Sequence, residues 1–156
     1  MIKSYFNVVT IFTLIMLLAM SRLVPHPPNF TPIIAMAVLS GAFLNNRLLS
    51  FTLPLLAMFI SDLYLGFHSG MFVVYFSISI CVLLGFFISK KPSFANSIIV
   101  LSASVFVFYL ITNFFVWYNS GLYPHTIEGL ISCYILALPF VQNTLVSTLI
   151  FGLGSF

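Results

Sequence analysis

Acidic residues are almost missing from this sequence: Asp62 and Glu128 are the only two in 156 positions. All charged residues together make up 4% of the chain, against about a quarter in ordinary soluble domains. A soluble domain with so few charges would not stay in solution. Five cations (Lys3, Arg22, Arg47, Lys90 and Lys91) cannot form a phosphate-binding stripe, so the net charge of +3 does not point to nucleic acid. Two cysteines, Cys81 and Cys133, lie in separate apolar runs and give neither a disulfide framework nor a zinc pattern. They read as small core residues. No G-x-x-x-x-G-K-[ST] motif occurs, so the chain has no ATP site of that kind. The period-2 alternation of an outer-membrane barrel is also missing, which leaves helices as the spanning element.

What is present is apolar. Hydrophobic residues make up 62% of the chain, and mean hydropathy is +1.20. Six apolar runs are visible, at roughly Tyr5–Leu23, Pro32–Leu44, Leu48–Leu65, Met71–Ser89, Phe94–Tyr118 and Gly129–Gly152. The breaks are too short for a soluble domain. Residues 1–156 therefore read as one polytopic all-α membrane domain of six transmembrane helices. Lys3, an apolar run and Ala19-Met20-Ser21 have the outline of a signal peptide. That run is long for a signal core and Arg22 follows at once, so it reads as a retained first helix.

Charge placement sets the expected topology. With the N-terminus in the cytoplasm, Lys3, Arg47, Lys90 and Lys91 fall inside and only Arg22 falls outside. Both termini are then cytoplasmic (N-in, C-in). The outer loops, near Arg22–Thr31, Gly66–Gly70 and Asn119–Ile127, hold His26, His68 and His125. Asp62, Glu128, Trp117, Tyr118 and Tyr123 lie on that side too. Polar chemistry is concentrated at one membrane face.

The second run is too short to be a simple span. Thirteen residues, Pro32 to Leu44, make a helix of roughly 20 Å, less than the ~30 Å hydrocarbon core. Four prolines fall in the eleven residues Arg22 to Pro32 that precede it. Proline removes amide donors and favours extended backbone. The segment is expected to be stiff and non-helical, and either to dip back into the bundle or to cap it. Short, proline-flanked apolar segments mark binding sites in transporters. Ala37 and Gly41 form a small-xxx-small pair, suited to close helix packing or to a partner's surface.

The fifth run carries Tyr109, Asn113 and Trp117 at i, i+4 and i+8. An aromatic–amide–aromatic stripe suits a flat organic ligand with a polar edge. The alternatives are an interhelical hydrogen bond for Asn113 and the interfacial aromatic belt for Trp117. Asp62 needs a partner, and Arg22 is the only cation on its side; an Arg22–Asp62 pair would order the proline segment. The rival is direct contact between Asp62 and a ligand. Glu128 suits the first turn of a helix capped by Thr126. Pro139 should kink the last run, with Gln142 and Asn143 either satisfying freed backbone groups or lining a path.

Four stretches carry a family resemblance: Arg22-Leu-Val-Pro-His-Pro-Pro-Asn-Phe-Thr-Pro32, Ser61-Asp62-Leu-Tyr-Leu-Gly66-Phe-His68, Thr112-Asn113-Phe-Phe-Val-Trp117, and Cys133-Tyr134 with Leu138-Pro139-Phe140 and Asn143-Thr144. In that order they resemble a family of small six-helix bacterial membrane proteins labelled only as transport proteins of unknown function. That family is distantly similar to the S components of energy-coupling factor (ECF) vitamin transporters. The resemblance implies an ECF S-component-like bundle in the bacterial cytoplasmic membrane. It also implies a vitamin-sized ligand near the outer face and an energy-coupling membrane protein with two ATPases as partner. Many S components dock that partner through Ala-xxx-Ala in helix one; here the stretch Ile11 to Met20 has only Ala19.

The expected function is a substrate-binding component for uptake of a small organic nutrient, with Arg22, His26, Asn29, Asp62, His68, Tyr109, Asn113 and Trp117 around the site. No catalytic residue, resident metal or cofactor is expected. A transition-metal transporter using His26, His68 and His125 with Asp62 and Glu128 is the rival chemistry. A structural or assembly subunit is a further alternative. An enzyme would need a nucleophile or cofactor that nothing in the sequence fixes.

Overall fold

The computed structural model describes residues 8–90 and 93–154. Lys3 and Lys91, two of the cations used for the expected topology, lie outside the described residues. Seven helices occur among them: α1 (Val8–Ser21), α2 (Ile33–Phe43), α3 (Arg47–Leu65), α4 (Met71–Lys90), α5 (Phe94–Asn119), α6 (Ile127–Leu136) and α7 (Leu138–Leu153). Five of the apolar runs each become one helix. The sixth becomes two, because Pro139 opens α7 and has no amide hydrogen to continue the ladder of α6. The α6–α7 pair is bent by 45°. Helices α3, α4 and α5 are each long and apolar enough to cross a membrane, and the bent pair makes a fourth such unit. Helices α1 and α2 are shorter apolar elements.

The centre of the bundle is α2. It packs against α3, α4, α5 and α7, while α1 lies along α3 and α6 along α5. Ala35, Ala37 and Val38 are fully buried, as a helix apolar all round must be. Small residues bring the neighbours very close. A Cβ on Gly41 would lie 2.1 Å from the Val82 carbonyl oxygen, and one on Gly85 would lie 2.1 Å from that of Val38. The Ala37/Gly41 pair is therefore spent on packing inside this chain. It does not form a docking surface for a partner, which corrects that sequence alternative.

Polar groups in the core stitch the helices together. Pro54, inside α3, has no N–H to give to the Ser50 carbonyl one turn back. Ser40 of α2 donates to that carbonyl at 2.7 Å, so a hydroxyl from the central helix replaces the missing bond. The break at Pro139 is braced by side chains from the neighbouring helix. The Tyr109 hydroxyl donates to the Tyr134 carbonyl at 2.6 Å, and the Tyr134 hydroxyl donates to the Leu110 carbonyl at 2.8 Å. Two tyrosines thus fix α6 to α5 beside the bend. Cys81 and Cys133 are free and buried, with their thiols near the carbonyls of Ser104 and Asn113.

The proline segment lies against α7, exposed over residues 25–29 and half-buried over 30–32. Residues 25–32 form no helix, and Phe30 N donates to the Pro27 carbonyl at 3.0 Å to close a tight turn. Asn29 takes φ 61° at the third position of that turn, where asparagine tolerates left-handed backbone and proline suits the second. Asn143, about a third of the way along α7, donates to the Pro28 carbonyl at 3.1 Å. The Phe30 ring meets the Phe151 ring edge-on at 6.2 Å, near the far end of α7. Pro28 and Phe30 therefore descend beside α7 before α2 begins. Asn143 is anchored to this segment and does not repair the backbone at Pro139.

Candidate functional site

Arg22 follows the end of α1 and reaches α3. Its Nη1 donates to Asp62 Oδ1 at 2.6 Å, to Ser61 Oγ, and to the Met58 carbonyl at 3.3 Å. Asp62 is 1% exposed, and its other oxygen accepts the Tyr75 hydroxyl of α4 at 2.7 Å. Gly66, one turn on, ends α3 at φ 96° while its N–H donates to the Asp62 carbonyl. The expected Arg22–Asp62 pair is present, and it ties α1, α3 and α4 together at the start of the proline segment. Asp62 is buried behind Arg22 and lines none of the hollows described below, so its place is to brace the guanidinium.

A cleft opens beside this pair. Its first lobe, about 310 Å³, is lined by Arg22, His26, Asn29, Thr31 and His68, with apolar walls from Met58, Ile78 and Phe108 among others. A second lobe, about 240 Å³, is lined by Asn29, Tyr109, Thr112, Asn113 and Val141 among others. A third, also about 240 Å³, runs from His68 past Thr112 and Phe115 to Asn119. Val74 lines all three; Asn29, Phe108 and Thr144 line the first two. The three hollows therefore adjoin through shared wall residues, and the proline segment lines the first two. The size and mixed lining of the first lobe fall in the range of small-molecule sites.

Six of the eight residues expected at a site line this cleft: Arg22, His26, Asn29, His68, Tyr109 and Asn113. Asp62 stands behind Arg22. Trp117 is elsewhere. At 100° per residue, a position eight residues on is turned about 80° from the first, so the stripe winds off the shared face. Trp117 Nε1 instead donates to the Pro124 carbonyl at 3.0 Å, and its ring sits against Phe114 and His125. His125 stacks on Tyr118 with rings 6° from parallel, and its Nε2 lies 3.0 Å from the Tyr118 carbonyl. Thr126 caps α6 through Gly129 N at 3.2 Å, with Glu128 exposed in the first turn. Residues 117–126 form a clasp between α5 and α6; Asn119 and Ser120 edge the third lobe, while Trp117, His125 and Thr126 line none of the three. Among the described residues no three His, Cys, Asp or Glu side chains are grouped closely enough to hold a metal. His26 and His68 share a lobe, but His125, Glu128 and Asp62 are committed elsewhere.

Val74 and Phe108 were not singled out from the sequence, and Thr144 entered only within the Asn143-Thr144 stretch of the family resemblance. As apolar or small residues within apolar runs, they carry no signal until the helices are assembled.

Fold and site together define an all-helical, apolar bundle with a partly polar cleft beside a proline-rich, non-helical segment. Over residues 3–156 the chain matches the model of a family of unknown function, DUF6580, and it belongs to that family. No curated protein and no solved structure matches it.

Proposed function

We propose that this chain is the substrate-binding membrane component of an uptake system for a small organic nutrient, a vitamin or a precursor, in the bacterial cytoplasmic membrane. The observation that carries the reading is the three-lobed cleft, walled in part by the proline segment and lined by Arg22, His26, Asn29, His68 and Asn113. Irregular backbone at membrane depth persists where it is buried by protein or lines a cavity. Segment 25–32 lines the cleft through His26, Asn29 and Thr31.

In this reading the chain crosses the membrane six times, N-in and C-in. The first crossing is α1, the second is the proline segment with α2, and the bent α6–α7 pair is the sixth. The cleft then opens to the outside. Arg47 and Lys90 lie at the opposite end, each over a phenylalanine ring of α4, as positive-inside placement requires. Energy comes from a partner or a gradient. The resemblance to ECF S components makes a coupling membrane protein with two ATPases the first partner to test. Its docking surface lies on the outward faces of the bundle, since Ala37 and Gly41 are buried.

A thermal-shift screen of purified protein against vitamins, precursors and divalent metals tests this reading. A ligand at about 100 times its dissociation constant adds about 2.7 kcal/mol of stability. Stabilisation by one organic compound is the expected result. Stabilisation only by nickel, cobalt or zinc would replace the reading with metal transport. Silence across the screen would favour a structural or assembly subunit.

A further inference from the structure

The Arg22 guanidinium is only half used. All three of its contacts, to Asp62, Ser61 and Met58, come from Nη1. Nε and Nη2 have no protein partner among the described residues, and Arg22 lines the first lobe. These two nitrogens form the edge of the guanidinium that matches a carboxylate or phosphate with two parallel hydrogen bonds. His26, Asn29, Thr31 and His68 line the same lobe, and their side chains make no hydrogen bond to the described protein.

The acids point the same way. Asp62 is 1% exposed, with one oxygen taken by Arg22 and the other by the Tyr75 hydroxyl. Glu128 is exposed in the first turn of α6 and lines no lobe. Among the described residues the cleft therefore presents the Arg22 donors, side chains of His26, Asn29, Thr31 and His68 that can donate, and no free carboxylate. An ammonium group would find no counter-charge in it. A neutral ligand would leave the Arg22 edge, built on a buried ion pair, with a weaker acceptor. Repulsion from Asp62 is reduced by the Tyr75 hydrogen bond to the oxygen that does not face Arg22.

We propose that the compound this cleft binds is an organic anion. Its carboxylate or phosphate sits on the free edge of Arg22, beside His26 and His68, and its apolar body lies along Met58, Val74, Ile78 and Phe108. The inference rests on the reading of the cleft as a ligand site and narrows the class of ligand.

Matched probes decide it. Purified wild-type protein is titrated calorimetrically with benzoate, benzamide, benzylamine and phenyl phosphate, and with the 3-phenylpropionate and 3-phenylpropanamide pair. The acids should bind about tenfold or more tightly than the isosteric amides, as expected for charged against neutral hydrogen bonds. The amine should not bind. Comparison of benzoate with phenyl phosphate identifies which acidic head the site prefers. In the double variant Arg22→Gln/Asp62→Asn, which removes both charges together, the acid–amide difference should vanish. If that variant does not fold, the wild-type pairs still decide. Amides binding as well as acids, or the amine binding best, would overturn the anion inference and leave a ligand site standing. No binding by any member of either series would overturn both.

Discussion

Two polar clusters lie at the same end of the bundle and treat their hydrogen-bonding groups in opposite ways. In the clasp of residues 117–126, Trp117 Nε1 is held by Pro124, His125 by Tyr118, and the Thr126 hydroxyl by Gly129 N. Its rings stack on one another, and Trp117, His125 and Thr126 line no lobe of the cleft, only Asn119 and Ser120 edging the third. In the cluster around Arg22, the buried members are fully satisfied, while those facing the cleft are not. Asp62 has both oxygens paired, yet Nε and Nη2 of Arg22 and the side chains of His26, Asn29 and His68 are left open. From sequence the clasp looks at least as site-like, since it holds the only tryptophan. What separates the two is where hydrogen-bonding capacity remains. A cluster that closes on itself holds a loop; one that leaves donors open beside a cavity is built to be completed by something else.

This contrast can be broken or sharpened by substitution. The largest effect should come from Asp62→Ala, which strands a partly buried guanidinium. A loss of about 3–5 kcal/mol is expected in denaturant unfolding of the reconstituted protein. A loss near zero would mean the pair does not hold α1, α3 and α4 together. Next comes Gly41→Val. Its Cβ would collide with the Val82 carbonyl, so α2 and α4 must part, at a cost of about 1–3 kcal/mol or more. Because α2 seats the proline segment, ligand stabilisation should weaken with it; unchanged melting would contradict the close α2–α4 approach. Thr126→Ala should cost about 1 kcal/mol through the lost cap and leave ligand affinity unchanged. Smallest is Trp117→Phe, which removes one hydrogen bond worth about 0.5–1.5 kcal/mol. Ligand affinity measured by calorimetry should again be unaffected, and a large loss there would move the clasp into the site.

Much of the fold was legible because bilayer-suited helices announce themselves as apolar runs, and five of the six runs became single helices. The Arg22–Asp62 pair was legible by scarcity, since one acid near the outer end of α3 had one cation on its side. Pro139 was legible as a bend, though not as the start of a separate helix. The use of Ser40 was hidden. Pro54 announces a carbonyl without its usual donor, but only the packed bundle shows which helix supplies one. Asn143 was hidden for the same reason, because its partner Pro28 is 115 residues away. Trp117 was misleading because a stripe at four-residue spacing stays on one face for a turn and then drifts. The site was therefore readable where polar residues were rare, and unreadable where apolar residues such as Val74 form the wall.

The most direct test of the ligand cleft uses Val74, the residue common to its three lobes. With an organic compound that stabilises the wild type, thermal shifts are compared for Val74→Trp and Trp117→Phe. Filling the cleft with Val74→Trp should abolish the shift in a protein that still melts cooperatively, while Trp117→Phe keeps it. A full shift in Val74→Trp with loss in Trp117→Phe would place the ligand at the clasp and contradict the account.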